Sequence, residues 1–472
     1  MYEALERELK WEVDEQFVLP RLDDVVKGAD VRHTTLQLTS SYYDTADGDL
    51  EAHGVLLRRR DGDDDVGWQL KVPDADGRVE IHTALSDAPP SELTEMLTGM
   101  RLGKPLVNIA TIRTVRDRYR ITEPKHDRVC IEVDVDQVRA SVEDRLLAWR
   151  EVEVELGPKA KSVPSKLTDR LTRSGARPAR YSSKLARAAH VERPGRTVDS
   201  PAVAAITDYL DSQIDQIFAG DLGLRRGSDP IHDTRVAIRR LRSTLRVFGK
   251  LMEPTAIEGI EDELKWFAGL LGEVRDRQVQ RRRFGEALAK LPPERVLGPV
   301  ANRIDNDLHS DQLQARQQVS EVMDTPRYLT LLATLQRWRS KPPTAAGISV
   351  KDLGKRARRA ERKADQRLAD GIDSGDDALL HRGRKAAKRA RYAAELRLPL
   401  DATAKRTVKY YKQFQRVLGD HQDGAVASET LLRLGRMAGT TEGENGFTFG
   451  ILYAQEQQAA AEAKRKVAEL LR

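Results

Sequence analysis

The sequence predicts an α+β chain of two domains, a closed antiparallel β-barrel followed by an all-helical half made of two bundles. Residues 1–186 contain short runs that alternate polar and apolar residues and are separated by Gly-, Pro- and Asp-rich turns, as in antiparallel strands. From residue 202 onward, apolar residues recur every three or four positions, as on helices packed against a core. The helical half also contains two similar segments in the same order, which predicts a pair of similar bundles.

Composition excludes several classes of protein. With 472 residues, two to four domains are expected, since a domain commonly has ~100–200 residues. No window approaches the ~18 consecutive apolar residues of a membrane span, and the acidic start MYEALERELK has no apolar signal core. The single cysteine, Cys130, excludes an intrachain disulfide framework and a multi-cysteine zinc site. We therefore expect a cytoplasmic protein that has no membrane partner.

The expected domain boundary lies in a segment without periodicity. The stretch HVERPGRTVDSP, around residues 190–201, contains Pro, Gly and Ser and shows neither strand nor helix pattern. We expect a first domain at 1–190, a linker at 191–201 and a second domain at 202–472. Within the first domain, SELTEMLTGM and PSKLTDRLTRSG begin with capping residues and predict helices that flank the barrel.

Several predicted strands carry charged side chains on one face, because residues two apart on a strand point the same way. These sets are Glu6, Glu8 and Lys10; Arg58 and Arg60; Glu132 and Asp134; and Glu151, Glu153 and Glu155. A solvated edge would explain three carboxylates on one face. A hard divalent cation, Mg²⁺ or Mn²⁺, would also explain them, because it binds carboxylate oxygens and leaves positions for phosphate and water. A closed barrel would turn these faces inward and make a charged tunnel.

The helical half carries two basic stripes at matching positions. Residues at i, i+3, i+4 and i+7 share one helix face. The stripes are His232, Arg235, Arg239 and Arg242 in one copy and His381, Arg384, Lys385 and Lys388 in the other, with Arg240, Arg389 and Arg391 beside them. A third cluster, between Lys355 and Lys363, has six basic residues and one Glu.

A solvated surface is the simplest explanation of a basic stripe, but two features favour an anionic ligand. Like charges at i, i+4 destabilise a helix by roughly 0.2–0.5 kcal/mol per pair, and this cost recurs at matching positions in the two copies. Arg and Lys suit phosphate oxygens. Few aromatic residues stand among the basic ones, so bases would find little to stack on. The pattern therefore favours inorganic polyphosphate as the partner over nucleic acid.

Four ordered motifs in the helical half resemble those of the CHAD domain. They are HDTRVAIRRLRSTLRVF, LGEVRD, HRGRKAAKRARY and LGDHQD. The resemblance implies a pair of four-helix bundles around a basic cavity that binds inorganic polyphosphate. It assigns this surface to His232, Arg235, Arg239, Arg240, Arg242, His381, Arg384, Lys385, Lys388, Arg389 and Arg391. Asp276 and Asp423, in the two LG motifs, are then expected to orient basic side chains.

The first domain resembles the CYTH, or triphosphate tunnel metalloenzyme, family. The ordered marks are Glu6-x-Glu8-x-Lys10, Tyr42 to Thr45, Leu57 to Arg60, Lys71, Arg78-x-Glu80, Glu132-x-Asp134, Glu151-x-Glu153-x-Glu155 and Ser183-Lys184. The family implies a tunnel that binds a triphosphate together with divalent metal. Carried over by position, the metal ligands are Glu6, Glu8, Glu151 and Glu153, and the triphosphate-binding residues are Arg58, Arg60, Lys71, Arg113, Arg116 and Lys184. The expected catalytic residues are Lys10, Glu80 and Glu155, of which Glu80 or Glu155 would orient a water toward the terminal phosphorus.

The two resemblances together predict a metal-dependent triphosphatase joined to a polyphosphate-binding module. The substrate would be inorganic triphosphate or a related triphosphate, and an association with polyphosphate granules is left open. The sequence has no Ser/His/Asp or Cys/His constellation and no Walker-type phosphate loop, which argues against a covalent intermediate. Two alternatives stay open: an adenylate cyclase that uses the same tunnel, and a polyphosphate-binding scaffold without catalysis.

Overall fold

The computed structural model describes residues 1–62, 66–123, 128–189 and 200–471. The chain divides into two compact units, Met1–Arg196 and Thr197–Arg472. Most of the expected linker at 191–201 lies outside the described residues, so the domain limits of the sequence analysis remain predictions.

One antiparallel sheet forms the framework of the first unit. Its strands are β1 (Tyr2–Glu6), β2 (Glu8–Val13), β3 (Asp30–Asp44), β4 (Leu56–Gly62), β5 (Gly67–Asp74), β6 (Gly77–Thr83), β7 (Val107–Thr122), β8 (Val129–Val142), β9 (Arg145–Leu156) and β10 (Arg177–Pro178). The order across the sheet is β1-β6-β5-β4-β3-β7-β8-β9-β2-β10. Most neighbours are also consecutive in the chain, as expected for strands joined by hairpins.

The predicted closed barrel is not confirmed, because the ladder of described strands stays open between β1 and β2. Strand β1 pairs with β6 at one end of the order, whereas β2 pairs with β9 near the other end. Only Arg7 separates the two strands, and its carbonyl accepts a hydrogen bond of 2.8 Å from the Leu156 amide. One residue cannot cross a flat sheet whose strands are ~4.8 Å apart, so the sheet must curl until its two ends meet at Arg7.

The two faces of the curled sheet differ in chemistry. On the outer face, Trp11, Val133 and Val152 are buried in one apolar core with Leu167 and Leu171. The last two belong to a helix that covers this face. On the inner face, charged residues occupy the alternate positions. The alternation seen in the sequence therefore separates an apolar outside from a charged inside.

Four helices complete the first unit among the residues described. They are α1 (Ser91–Met96), α2 (Thr98–Arg101), α3 (Ser165–Arg173) and α4 (Lys184–Ala188). Helix α3 carries Leu167 and Leu171. Helix α4 places Leu185 and Ala188 against Ile112, Val138 and Ala140 on the inner face. It therefore packs across the apolar end of that face and brings Lys184 to the charged part.

The second unit is helical, as predicted. Its α-helices are α5 (Pro201–Arg225), α6 (Ile231–Phe248), α7 (Pro254–Ile257), α8 (Ile260–Leu288), α9 (Val300–Met323), α10 (Pro326–Ser340), α11 (Val350–Ser374), α12 (Asp377–Leu396), α13 (Ala404–Ala438) and α14 (Phe447–Leu471). Among the described residues, no helix is long and apolar enough to span a bilayer.

The helix cores join the two halves of this unit. Leu368, Ala387, Phe414 and Val467 come from α11, α12, α13 and α14 and share one core, as in a four-helix bundle. A second core combines residues of α8 and α9 with the C-terminal part of α13 and the N-terminal part of α14. The long helices α13 and α14 thus contribute residues to both cores. The division of this unit into two four-helix bundles remains a prediction.

Local sequence fixes the start and the end of the helix α11. The Ser349 hydroxyl accepts from the Asp352 amide while the Asp352 carboxylate accepts from the Ser349 amide, a reciprocal capping box. The helix ends at Gly375, whose φ of 64° lies in the left-handed region that suits glycine. Asp376 then caps α12 by accepting from the Leu379 amide. The two basic helices α11 and α12 are therefore joined by a tight, well-capped turn.

Candidate functional site

The inner face of the sheet lines a cavity of about 640 Å³. Every strand from β1 to β9 contributes, and α4 adds Ser183 and Lys184 at one end. The cationic lining consists of Arg7, Lys10, Arg58, Arg60, Lys71, Arg78, Arg116, Arg118, Arg120 and Lys184, and the acidic lining of Glu6, Glu8, Glu80, Glu132, Asp134, Glu153 and Glu155. The cavity is therefore dense in both signs of charge, with an excess of cations.

On strand β7, side chains alternate between the two faces of the sheet, and only those on the inner face line the cavity. Arg116, Arg118 and Arg120 lie on the inner face and line the cavity. Arg113 has the opposite parity and is exposed on the outside. The structure therefore does not bring Arg113 to the other expected phosphate-binding residues. Arg118 and Arg120, which were not among the expected phosphate-binding residues, line the cavity beside Arg116.

Lys71 holds two carboxylates together on one side of the cavity. Its Nζ lies 2.6 Å from Oε1 of Glu6 and also forms an ion pair with Glu80. Glu80 further contacts Arg58 at 3.4 Å and His82 at 3.1 Å. Burial alone would raise the pKa of Glu80, but Lys71, His82 and Arg58 outweigh it and hold that pKa well below its usual range. Burial raises the pKa of Glu6, although Lys71 opposes the shift.

Lys10 links Glu8, on its own strand β2, to Glu153 on the neighbouring strand β9. Its Nζ lies 3.0 Å from Oε1 of Glu8 and forms an ion pair with Glu153, its register partner on β9. Burial would lower the pKa of Lys10, but Glu153 and Glu8 outweigh it and raise that pKa above its usual range. Lys10 therefore stays an ammonium at physiological pH and acts as a fixed positive charge.

A buried group of three carboxylates lies beside α4. Asp136, Glu151 and Glu153 each offer an oxygen within 4.8 Å of the others. Such oxygen donors suit a hard divalent cation such as Mg²⁺ or Mn²⁺. The Nζ of Lys184 now lies 2.8 Å from all three residues, and Arg116 contacts Asp136 and Glu153 at 2.6 Å. The donor set fits a divalent metal, which would have to replace Lys184 at these oxygens.

The four metal ligands expected from the sequence do not form one group. Glu6 is paired with Lys71 and Glu8 with Lys10, whereas Glu151 and Glu153 belong to the buried group. The third member of that group, Asp136, was missed. Its signal was available, since Asp134 and Asp136 alternate with valines on β8.

Glu155 differs from the other acids of the cavity. It faces Glu8 on β2 and Glu132 on β8, so three glutamates stand side by side across neighbouring strands. Within the described part of the chain, no hydrogen bond or ion pair is found for its carboxylate. The side chain is open to the cavity, yet partial loss of water together with Glu6 and Glu132 raises its pKa to about 8. Glu8 is paired with Lys10, and Glu132 with Arg118 and Arg120, so Glu155 is the member of this row whose charge is not compensated by an ion pair in the described residues.

The helical unit contains a second candidate site where α6 meets α12. We call Arg235, Arg239, Arg384 and Lys388 the central basic cluster. Buried Nε atoms of Arg239 and Arg384 find no hydrogen-bond partner in the described residues, and Lys388 has no ion pair there. Burial, with Arg384 and Arg239 close by, lowers the pKa of Lys388 to about 7. Cations held together in this way are typical of a surface that binds an anion.

The other expected polyphosphate residues fall into two groups. Arg240 and Arg391 both contact Glu395, at 2.9 and 2.8 Å, so their charges are balanced inside the protein. Arg242 lies 3.3 Å from Glu261. By contrast, His232 and Lys385 are exposed, and His381 and Arg389 are partly exposed. Of the two expected orienting aspartates, Asp276 contacts Arg235 at 3.1 Å, while Asp423 stands close to Arg384.

Comparison with known proteins identifies both halves of the chain. The CYTH domain model matches residues 4–186 and the CHAD domain model matches residues 208–432. Two curated relatives from Mycobacterium tuberculosis, the uncharacterized proteins MT2285 (strain CDC 1551 / Oshkosh) and Rv2226 (strain ATCC 25618 / H37Rv), are each 31% identical over 498 residues. The match covers 99% of this chain and 96% of each relative.

Solved structures show weaker likeness. PptA from Streptomyces chartreusis aligns with a TM-score of 0.48 at 20% identity, over 57% of this chain and 98% of that one. The CHAD domain from the plant Ricinus communis aligns with a TM-score of 0.47 at 24% identity, over 57% and 90%. The PH1819 protein from Pyrococcus horikoshii OT3 aligns with a TM-score of 0.24 at 21% identity, over 39% and 97%. These scores support no statement on activity.

The family matches carry a general expectation. The CYTH family includes triphosphatases and adenylyl cyclases, and its tunnel enzymes are generally metal-dependent. CHAD and CYTH domains are associated in general with polyphosphate and triphosphate binding. The ordered motifs, the two domain models and the full-length relatives agree, and the chain belongs to the CYTH and CHAD families, with one domain of each in that order.

Proposed function

We propose that the first unit hydrolyses inorganic triphosphate, or a related triphosphate-containing substrate, with Mg²⁺ or Mn²⁺, and that the helical unit binds inorganic polyphosphate. The observation that carries the proposal is the cavity of about 640 Å³ whose lining combines many cations with unpaired or shared carboxylates. A triphosphate needs cations to bind its oxygens. Its hydrolysis needs charge neutralisation and an oriented water more than a covalent intermediate.

Substrate binding would exchange the present ion pairs for phosphate contacts. Arg58, Arg60, Lys71, Arg116 and Lys184 all line the cavity and are buried. Charge-assisted hydrogen bonds from such side chains to phosphate are about twice as strong as neutral ones. Because most of these cations already hold carboxylates, binding would release those carboxylates within the cavity.

The released carboxylates would then be available to bind the metal, because their oxygens suit a hard divalent cation. Asp136, Glu151 and Glu153 would hold it, and Lys184 would be freed to contact phosphate. When bound, a divalent metal supplies Lewis-acid neutralisation of the phosphate charge. A divalent cation would bring two positive charges where the Lys184 ammonium takes away one, so the buried carboxylates would remain neutralised.

Of the three expected catalytic residues, we assign to Glu155 the role of accepting a proton from the attacking water. Lys10 and Glu80 are each held by several ion pairs, so they fix the geometry of neighbouring charges. Glu155 has no such partner in the described residues and faces the cavity. Because its pKa is raised to about 8, Glu155 is ionised in only part of the molecules at neutral pH, and the ionised carboxylate would accept a proton as the water oxygen bonds to the terminal phosphorus. The bond from that phosphorus to the bridging oxygen breaks, giving diphosphate and phosphate.

A phosphate-release screen tests this function. The full chain is incubated with inorganic triphosphate, thiamine triphosphate and ATP, each with Mg²⁺ or Mn²⁺. We expect release of phosphate from at least one substrate and none in EDTA. Formation of cyclic AMP and diphosphate from ATP would instead establish the cyclase alternative. Binding of triphosphate without any product under all conditions would leave a polyphosphate-binding scaffold.

A further inference from the structure

A second basic cavity, of about 410 Å³, lies between the end of α6, the middle of α11 and α12. We call it the lateral groove. Its charged lining consists of Arg246, Lys250, Arg356, Arg359, Lys363 and Arg389. The rest of the lining is small or aliphatic, with Leu245, Val247, Gly249, Ala360 and Ala386. None of the described residues that line it is acidic or aromatic.

Helix α11 supplies half of these cations from a single face. Arg356, Arg359 and Lys363 stand at i, i+3 and i+7, and Arg367 continues the row at i+11. Lys355, Arg358 and Arg362 point to the other side of the same helix and do not line the groove. The basic cluster of α11 is therefore divided into a row that faces the groove and a row that does not.

Most cations of the groove lack an acidic partner. Arg246 contacts Glu261, with Nε 2.6 Å from Oε1, and Arg389 donates to the Lys385 carbonyl at 3.1 Å. For Lys250, Arg356, Arg359 and Lys363, no ion pair is found in the described part of the chain. Burial, with Arg246 and Arg367 nearby, lowers the pKa of Arg389. The protein thus keeps like charges together here and compensates few of them, although such pairs destabilise helices.

A row of arginines on one face of α6 runs from the central basic cluster to the groove. Arg235, Arg239, Arg242 and Arg246 stand at i, i+4, i+7 and i+11, on one face of this helix. At 1.5 Å per residue, the first and last lie ~16 Å apart along the axis. The first two belong to the central basic cluster and the last lines the groove. A ligand that covers both ends must be extended and negatively charged along its length.

We propose that the lateral groove is a second anion-binding site, which takes a phosphoanhydride chain that also occupies the central basic cluster. The proposal rests on polyphosphate binding by the helical unit. Arg and Lys without carboxylate partners suit phosphate oxygens, and the lack of aromatic side chains in the described lining disfavours stacked bases. Two linked sites bind a ligand that spans both far more tightly than a ligand that reaches one. The helical unit therefore selects long chains over short ones.

Two triple variants of the full chain test the proposal. The groove variant is Arg356→Gln, Arg359→Gln and Lys363→Gln; the matched control is Lys355→Gln, Arg358→Gln and Arg362→Gln. Both remove the same charge from the same helix. Binding of long-chain inorganic polyphosphate is titrated in EDTA over a range of salt, and circular dichroism melting checks that both variants remain folded. If the groove variant melts early, its three single substitutions replace it.

The groove variant should bind long polyphosphate at least tenfold more weakly than the control. Its slope of log affinity against log salt should fall by about 2 to 3, by a counterion rule taken from nucleic acids. Short inorganic triphosphate should bind both variants alike. Equal effects of the two variants on long chains would overturn the groove while leaving polyphosphate binding intact. Failure of the wild type to bind long chains would overturn both. Tighter binding of single-stranded RNA than of polyphosphate would overturn the assigned ligand.

Discussion

The Nζ atom of Lys184 lies 2.8 Å from Oε1 of Glu153, and the same nitrogen lies 2.8 Å from Asp136 and from Glu151. One ammonium thus contacts three buried carboxylates, and Arg116 and Lys10 supply the further positive charge near them. These carboxylates are also a group that could hold a divalent metal, so Lys184 and a bound metal would compete for the same oxygens. Either partner would keep this buried negative charge neutralised.

Lys184→Met should make the fold depend on metal. Removing one partner of a buried ion pair costs about 3–5 kcal/mol, which corresponds to roughly 10 °C in Tm for a unit of this size. In EDTA the variant should melt that much earlier than the wild type, and Mg²⁺ or Mn²⁺ should restore most of the loss. Lys166→Met, at an exposed lysine paired with Asp24, is the control and should change little. Equal melting of both variants in EDTA would contradict the competition between Lys184 and metal.

Glu6→Gln and Glu8→Gln should each reduce phosphate release at least about 100-fold, because both carboxylates line the cavity and hold its cations in place. The change preserves volume and removes only charge, so the fold should persist. Glu3→Gln lies on the same strand β1 as Glu6 but is exposed and does not line the cavity. Initial rates at saturating Mg²⁺ check the prediction. Rates equal to that of Glu3→Gln in both variants would remove these glutamates from the site.

Arg60→Gln and Arg113→Gln should differ in their effect on KM for triphosphate, because the two residues lie on opposite faces of the sheet. Arg60 lines the cavity, whereas Arg113 points outward. A lost charge-assisted hydrogen bond costs about 1.5–3 kcal/mol, so Arg60→Gln should raise KM for triphosphate by about 10- to 100-fold. Arg113→Gln should leave kcat and KM close to those of the wild type. A large effect of Arg113→Gln would mean that the face assignment of β7 is wrong.

Polyphosphate binding by the central basic cluster should weaken as the pH rises above 7. Burial, with Arg384 and Arg239, lowers the pKa of Lys388 to about 7, so free protein loses this charge near neutral pH. Nearby phosphates favour the ammonium, so the bound state must take up a proton, and affinity falls by up to about tenfold per pH unit. Titrations at pH 7, 8 and 9 measure the slope. Lys388→Gln should abolish it, while Lys385→Gln, at an exposed lysine, should weaken binding but keep it. A pH slope that persists in Lys388→Gln would rule this residue out as its source.

Lys388 should also make the helical unit more stable at higher pH. Its pKa is lowered in the folded chain, so between pH 7 and the ordinary lysine range the unfolded chain binds more protons, and the free energy of unfolding rises with pH. Lys388→Met should therefore raise Tm, and more at pH 6 than at pH 9. Thermal melts of the wild type and variant without ligand check the sign. A larger gain at pH 9 would contradict it.

Much of the lining of the cavity was predictable from the sequence, because the side chains of a strand alternate between its two faces. Glu8, Lys10, Arg58 and Arg60 share the inner face because side chains alternate along a strand, and this needs no knowledge of the fold. Arg113 was included among the phosphate-binding candidates by its place in a family motif, and its parity relative to Arg116 puts it on the outer face. Parity is therefore the signal that distinguishes the arginines of β7 that line the cavity.

The pairing of charges and the lateral groove could not be predicted, because both depend on residues far apart in the chain. Lys184 reaches carboxylates on β8 and β9 only because α4 packs across the inner face. The basic row of α11 was visible as a charge cluster between Lys355 and Lys363. Its role depends on α6 and α12 standing beside it, which composition and spacing do not reveal. The open ladder at Arg7 is likewise a property of the tertiary structure.

The measurement that tests the central claim most directly is phosphorus NMR of inorganic triphosphate incubated with the full chain and Mg²⁺ or Mn²⁺. The charged cavity predicts conversion of triphosphate to diphosphate and phosphate in equal amounts, with loss of turnover in Glu8→Gln and in EDTA. Persistence of the triphosphate signals with either metal, at enzyme concentrations comparable to substrate, would contradict the assignment of the cavity as a triphosphatase site.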